Sequence, residues 1–461
     1  MRLPRMSLSA WLVTATCLVP LAVPGLALAQ TAGPASPSSE KPNTPEPVAE
    51  PTPEPAGLVI DGIKLSAQLD AGFMANPFRP NNGLNFGQLF TDHANQAQLN
   101  QLLLTANKPL DPKDPGLQWG FKLQFMYGSD ARYTQFLGVF NRVDPGERYQ
   151  LDMVEANVLA HLPYLTDGGI DLKAGMYSTP LGYETIDPST NPFYSHSYIF
   201  QFGLPFKHTG VLTTTHVNDT LDIYAGLDTG TNTTFGPLGE NNSALGGIAG
   251  FGLNSLLDGK LTVLALTHFG PEQASRALSP IGVNANGQWR YFNDVLLTYK
   301  PTDVWTFVTE FNWARDDYGF GKGAVNAFGA AQYVSYALTD TIALNARAEI
   351  FRDDSNFFVA SYSGNNDPVR FQQGLPAIST VYGAPGSSTT YSEITLGVTY
   401  KPVVPAPITG LLIRPEVRWD HAYTSNKPFN RSGLTFTTTP PTYTDGTSNS
   451  FTFGVDMVLT F

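Results

Sequence analysis

The side chains of this chain best placed to do chemistry are seven histidines and two acid pairs: His93, His161, His196, His208, His216, His268 and His421, with Asp316-Asp317 and Asp353-Asp354. No two histidines show the helical spacing of a metal-binding pair, and strand alternation scatters them, so neither a metal nor another cofactor is expected. His196 and His208 share one long connection and could meet, although hydrogen-bonded structural roles are commoner for such residues. The aspartate pairs could offer carboxylate oxygens to Ca²⁺ or Mg²⁺, against a default of solvated loop acids. No G-x-S-x-G elbow or phosphate loop is present, and the glycine-rich stretch 246–252 lacks nucleotide-loop spacing. A Ser-His-acid hydrolase assembled from distant strands is the enzymatic reading.

A second chemistry is electrostatic. Alternation puts Lys122, Lys173, Arg290, Arg347, Arg414 and Arg418 on one face of their strands, with Glu155, Asp171, Asp222, Asp294, Glu310, Glu349, Glu393, Glu416, Asp420 and Asp456. Rings of charge that line water select ions by sign, and an excess of acids predicts a mild cation preference. The same residues could instead pair across strands and stabilise a wall.

The elements that must position these groups are β-strands. Near the end of the chain Phe451, Phe453, Val455, Met457, Leu459 and Phe461 alternate with Thr452, Gly454, Asp456 and Thr460, Val458 being the exception. Period two gives one apolar and one mostly polar face. The pattern recurs: Trp119, Phe121, Leu123 and Phe125 oppose Lys122 and Gln124, and Ile394, Leu396, Val398 and Tyr400 oppose Glu393, Thr395, Thr399 and Lys401. Pro415 removes one ladder bond and predicts a bulge or a strand end. Short turns at Asn218-Asp219, Asp258-Gly259, 301–303 and Thr339-Asp340 alternate with long connections near 74–97, 128–148, 178–207, 229–243, 270–287, 352–390 and 424–449.

Composition agrees with that pattern. Only 14% of the 461 residues are Asp, Glu, Lys or Arg, while 42% are hydrophobic and 12% aromatic. A soluble domain carries roughly 25% charge. An antiparallel transmembrane barrel explains the shortage, because half of each strand faces lipid and closure satisfies the backbone. About 16 strands are expected, within roughly 14 to 18, around a lumen wide enough for water. The net charge of −12 argues against nucleic acid.

Arg2 and Arg5, the apolar stretch 8–26 and Ala27-Leu28-Ala29 predict a signal peptide over 1–29, cleaved before Gln30. Removing it leaves 25 basic against 39 acidic residues and no cysteine, since Cys17 is the only one. Residues 30–57, dense in proline, read as an extended periplasmic tether, and 58–461 as the barrel.

The connection 178–207 is rich in proline and aromatics and lacks alternation. It would sit poorly in open water, so folding into the barrel is the stronger reading and a cap over the mouth the weaker. Glu184, Asp187, Tyr194, His196, Lys207 and His208 are its candidate constriction residues.

Lys173-Ala174-Gly175, Thr179-Pro180-Leu181-Gly182-Tyr183-Glu184, Asn191 with Tyr194-Ser195-His196-Ser197, and Pro205-Phe206-Lys207-His208-Thr209-Gly210 resemble the OmpL-like family of outer-membrane β-barrel porins. Tyr127-Gly128-Ser129-Asp130-Ala131-Arg132 and Leu69-Asp70-Ala71-Gly72-Phe73 are similar to further family segments. The resemblance implies an outer-membrane channel for small hydrophilic solutes or ions, set among lipid and lipopolysaccharide, with no catalytic residues. It implies arginine where this chain has His196, and so a weaker positive charge in the constriction. A homotrimer is the expectation by analogy with such porins.

Overall fold

The computed structural model describes residues 58–364, 367–375, 381–384, 386–425, 427–430 and 446–461. The expected signal peptide and tether lie outside the described residues. Sixteen strands close into one antiparallel barrel. In chain order they are β1 (Ile63–Ala75), β2 (Ala97–Lys108), β3 (Gln118–Gly128), β4 (Gln150–Leu162), β5 (Ile170–Ser178), β6 (Lys207–His216), β7 (Leu221–Thr231) and β8 (Gly246–Ser255). The second half comprises β9 (Leu261–Pro271), β10 (Trp289–Thr302), β11 (Trp305–Asp316), β12 (Val325–Ala337), β13 (Ile342–Asp353), β14 (Thr389–Tyr400), β15 (Gly410–Ala422) and β16 (Asn449–Thr460). Every strand pairs with its sequence neighbour, and β16 closes on β1 from Phe453↔Ala75 to Thr460↔Gln68. Among the described residues this ladder leaves no edge of the sixteen-strand barrel open, the condition for crossing lipid.

Alternation sorts the side chains as period two requires. In β16, Phe451, Phe453, Val455 and Met457 are exposed outward while Thr452, Gly454 and Asp456 are buried. Val458 is wholly buried and points inward among them. Outward positions elsewhere, such as Leu104, Val158, Phe311 and Leu396, form the apolar belt. Leu396 lies mid-strand in β14, opposite Ala346 and Val417. Leu396→Arg is therefore expected to destabilise the barrel by about 2–4 kcal/mol, the cost of a cation near the bilayer midplane. Urea titration of the variant folded into lipid vesicles measures it.

Eight connections, 76–96, 129–149, 179–206, 232–245, 272–288, 317–324, 354–388 and 423–448, leave the strands at one end and seven at the other; all of the eight but 317–324 are longer than any of the seven. The sequence pattern missed 317–324, which is short enough to pass for a turn. Pro415 lies inside β15 and makes neither a bulge nor an end. Pairing with β14 lapses between Tyr400↔Ile413 and Gly397↔Glu416, yet the register is the same on both sides. On its other edge Pro415 stays in register with Val455. The strand tolerates the missing donor because one gap does not shift the ladder.

Candidate functional site

The connection 179–206 has no ladder partner, so its backbone amides and carbonyls must be satisfied elsewhere. It leaves β5 and returns to β6 through Thr179 N–H donating to Phe206 O at 2.9 Å. Between these ends it folds into the barrel and takes its partners from the inner wall. Three wall arginines donate to its carbonyls: Arg347 Nη1 to Ser195 O at 2.9 Å, Arg414 Nη1 to Pro188 O at 2.6 Å, and Arg418 Nη1 to His196 O at 2.5 Å. Wall carboxylates accept from its amides. Glu349 takes Tyr198 N–H at 2.7 Å and Ile199 N–H at 2.8 Å, Glu416 takes Tyr194 N–H at 2.9 Å, and Glu310 takes Tyr183 N–H at 3.2 Å. The inner charges of β11, β13 and β15 thus replace the ladder that the loop lacks.

Glu184 is the loop's own ionic anchor. Its Oε1 accepts from Arg347 Nη1 at 2.7 Å and Tyr333 OH at 3.0 Å, and its Oε2 meets His196 Nδ1 at 2.6 Å. Burial pushes this carboxyl up, but Arg347, His196 and the Ser197 amide outweigh it and hold it at about 2. Burial pulls the His196 imidazole below its ordinary value despite Glu184. His196 is therefore neutral at neutral pH, with Nδ1–H donating, and its ring stacks on Phe200 at 4.3 Å. Asp187 Oδ1 caps the short turn Pro188–Thr190 through Ser189 N–H and accepts from Gln68 Nε2. Tyr194 OH donates to Asn100 Oδ1 at 3.0 Å.

Close approach of loop and wall requires glycine at two inner positions. A Cβ on Gly72 of β1 would lie 2.4 Å from Tyr194 Cζ, and one on Gly329 of β12 would lie 2.4 Å from Ile199 Cγ1. Gly329→Val is expected to push the helical turn Ile199–Gly203 off Glu349, at the 1–3 kcal/mol or so typical of overpacking. Limited proteolysis of the folded variant should then cut within 179–206, where the parent resists.

The wall residues singled out by alternation divide into two sets. Glu155, Asp222, Asp294, Glu310, Arg347, Glu349, Glu393, Arg414, Glu416, Arg418, Asp420 and Asp456 point inward but are buried, most of them beneath the loop. Several pair along the wall: Arg414 with Asp456, Arg418 Nη2 with Asp420 at 2.7 Å, and Arg347 Nε with Glu393 at 2.5 Å. Lys122, Asp171, Lys173 and Arg290 keep more exposure. Asp171 and Asp222 belong to a cluster at the short-turn end, bridged by His216 with His161 beside it.

Lys207 and His208 leave the constriction. Both belong to β6, and Lys207 Nζ is sealed against Asp152 at 2.6 Å. His196 and His208 do not meet. The aspartate pairs are not open cation sites either. Asp316 accepts from Arg290, Gln273 and the Tyr318 and Gly319 amides, while Asp353 accepts from the Phe358 and Val359 amides. Both cap turns.

A second group inside the barrel had no assigned role from sequence. Asp92, in the first long connection, takes both Arg132 Nη1 at 2.9 Å and Nη2 at 3.1 Å, with Tyr133 OH at 2.7 Å. Burial raises the Asp92 carboxyl, but Arg132 and His93 bring it well below the usual range. Asp130 is pushed up to about 7 by burial, against the pull of Gln101, Asn100 and Arg132. Arg132 had entered only as part of a family-like segment. The signal for it was an Asp130-Ala131-Arg132 charge pair in a stretch, 123–141, that carries no other charge.

A closed sixteen-strand barrel with an apolar outer face, and an internal loop held by inner-wall charges, defines an outer-membrane porin. The chain belongs to the family described as "Putative beta-barrel porin-2, OmpL-like", whose model matches residues 62–461. It is accordingly an outer-membrane channel. Among solved structures it is similar to the outer membrane channel DcaP of Acinetobacter baumannii, with 13% identity over 88% of this chain and 100% of that one and a TM-score of 0.46. It is also similar to the anion-selective porin from Comamonas acidovorans, with 10% identity over 87% and 99% and a TM-score of 0.48. Pseudomonas putida OprB shows 12% identity over 87% and 94% with a TM-score of 0.47. Likenesses this distant add nothing to the ladder and the family match. No curated protein matches the chain.

Proposed function

We propose that the channel is passive and non-catalytic, and that small hydrophilic solutes cross it downhill, restricted along residues 178–207. The observation that carries this reading is the loop seated inside the barrel by Arg347, Arg414 and Arg418. A loop so held narrows a lumen without closing a catalytic constellation. The proposal includes export through a cleaved leader over 1–29 and a periplasmic tether over 30–57. The apolar outer face suits outer-membrane lipid beneath lipopolysaccharide, and also contact with further copies in a homotrimer. A weak preference for cations is kept from the excess of acids on the inner strand faces, and because most of those acids are paired or lie beneath the loop the reversal potential decides it.

The aromatic cluster of Phe90, Tyr133, Phe200 and Phe206 inside the barrel favours a second reading, a surface-binding barrel with a closed lumen. Planar-bilayer recording separates the two. The porin reading expects discrete current steps, and a reversal potential in a KCl gradient that favours cations. No current in any reconstitution overturns it, and an anion-favouring potential overturns the charge preference. Deleting residues 184–203 should raise the conductance; unchanged current would place the restriction elsewhere.

A further inference from the structure

Three strands bring His208, Asp228 and His268 to one point on the inner face near the long-loop end. They come from β6, β7 and β9, and β8 runs between the last two. Side chains so far apart can meet only if nothing stands between them. The ladder supplies that clearing with glycine on both sides of Asp228, opposite Gly210 of β6 and opposite Gly246 of β8. A Cβ on Gly246 would lie 3.0 Å from Asp228 Oδ1 and 3.2 Å from His268 Nε2. A register shift in β6–β7 between His208 and Gly210 adjusts the aim. Such irregularities re-aim side chains at functional points.

The three side chains have no exposure, and their candidate ligand atoms all lie within 4.8 Å of one another. Asp228 Oδ1 accepts from Gly230 N–H at 2.8 Å and faces His268 Nε2 at 3.1 Å. Asp228 Oδ2 and His208 Nδ1 face each other at 3.5 Å, and neither makes a hydrogen bond with any described residue. Two buried polar atoms left unsatisfied and aimed together call for an explanation. In a tetrahedral zinc site, bond lengths of about 2.0–2.1 Å put neighbouring donors about 3.3 Å apart. The separations of 3.1 Å from His268 Nε2 to Oδ1 and 3.5 Å from His208 Nδ1 to Oδ2 bracket that value for a carboxylate bound through both oxygens, and with one ligand atom from each residue the set closes within 4.8 Å. A metal-bound histidine usually donates its second ring nitrogen to an outer partner, and His208 Nε2 has Thr179 Oγ1 at 3.2 Å. His268 Nδ1 has no such partner among the described residues.

We propose that His208, Asp228 and His268 form a binding site for a divalent transition metal of zinc type, which ties β6, β7 and β9 together beside the loop base. Two imidazoles and one carboxylate suit a borderline cation over calcium or magnesium, which prefer oxygen ligands throughout. Thr179 is the first residue of the inward loop, so the ion would also stiffen the point where that loop leaves the wall. The expectation of no metal, reached from sequence spacing, is revised here by strand geometry. The inference is independent of what the channel carries.

The test uses the full chain, purified in detergent, stripped with EDTA, supplied with ZnCl₂ alone and passed through a desalting column. About one zinc per chain should be retained, as a three-ligand site binds one ion. His208→Gln, Asp228→Asn and His268→Gln should each lose it to background, while His421→Gln, remote from the site, should retain it. Gel migration of unheated against heated samples shows whether each variant is folded. Should a variant fail to fold, the parent protein loaded with Co²⁺ still decides. Intense visible absorption bands of a tetrahedral centre support the site, and the weak spectrum of the hydrated ion overturns it. Zinc retained equally by Asp228→Asn, or not retained by the parent, also overturns it.

Discussion

Arg347→Met is expected to raise the single-channel conductance several-fold while leaving the barrel folded. The Arg347 side chain is fully buried and joins Glu184 of the loop to Glu393 of β14, with contacts at 2.7 and 2.5 Å. It also holds the Ser195 carbonyl at 2.9 Å. Methionine fills much of the same volume and supplies no donor, so Glu184 would stay buried without its arginine and Glu393 would keep only Arg418, at 3.8 Å. Breaking a buried ion pair from one side costs about 3–5 kcal/mol. The sixteen-strand ladder does not run through Arg347's side chain, whereas the loop does. The cheaper escape is therefore for the loop to leave the wall, so that Glu184 and Glu393 are hydrated. Planar-bilayer recording reads the larger opening, and a retained heat-modifiable gel shift shows an intact barrel. Adding Glu184→Gln and Glu393→Gln removes the stranded charges and should return the conductance most of the way. Unchanged current in Arg347→Met would mean that the remaining contacts seat the loop alone.

The barrel was legible in the sequence because lipid imposes its pattern locally. Phe451, Phe453, Val455 and Met457 had to face outward wherever the strand lay, and the burial of Thr452 and Asp456 follows from period two. The unusual composition of 178–207 likewise marked it as something other than a water-exposed connection. Its partners were hidden. Glu184 meets Arg347 163 positions away, and Arg418 meets the His196 carbonyl 222 positions away. No periodic rule spans such separations. One trace of the docking face did lie in the sequence: Arg414, Glu416, Arg418 and Asp420 crowd the inward side of a single strand. Counting those charges as a wetted filter overlooked that a loop without a ladder would consume them. His208, Asp228 and His268 were missed for the same reason. Their proximity depends on strand order and on two glycines that read only as small residues.

Acidification should release the same loop in two stages. Glu184 and His196 lie in the connection, outside the spanning strands, and titrate on opposite sides of one 2.6 Å contact. The Glu184 carboxyl is held at about 2 against an ordinary 4.5. A depressed acid contributes stability that is complete above its ordinary value and is lost as pH falls toward the depressed one. That difference is worth about 3 kcal/mol, lost between about pH 4.5 and pH 2. His196 is depressed below its ordinary 6.5. Its neutral form suits the seated loop and its charged form the released one, so its contribution weakens as pH falls below 6.5. The surroundings agree with both directions: Arg347 and Tyr333 face Glu184, while Phe90 and Phe200 crowd the His196 ring. Conductance should therefore begin to rise as pH drops below 6.5, and rise again below 4.5. His196→Gln should abolish the first rise and keep the second. Glu184→Gln should abolish the second, and its current at pH 7 should already resemble that of the parent in acid. A parent conductance that does not change between pH 7 and pH 3 would exclude this latch.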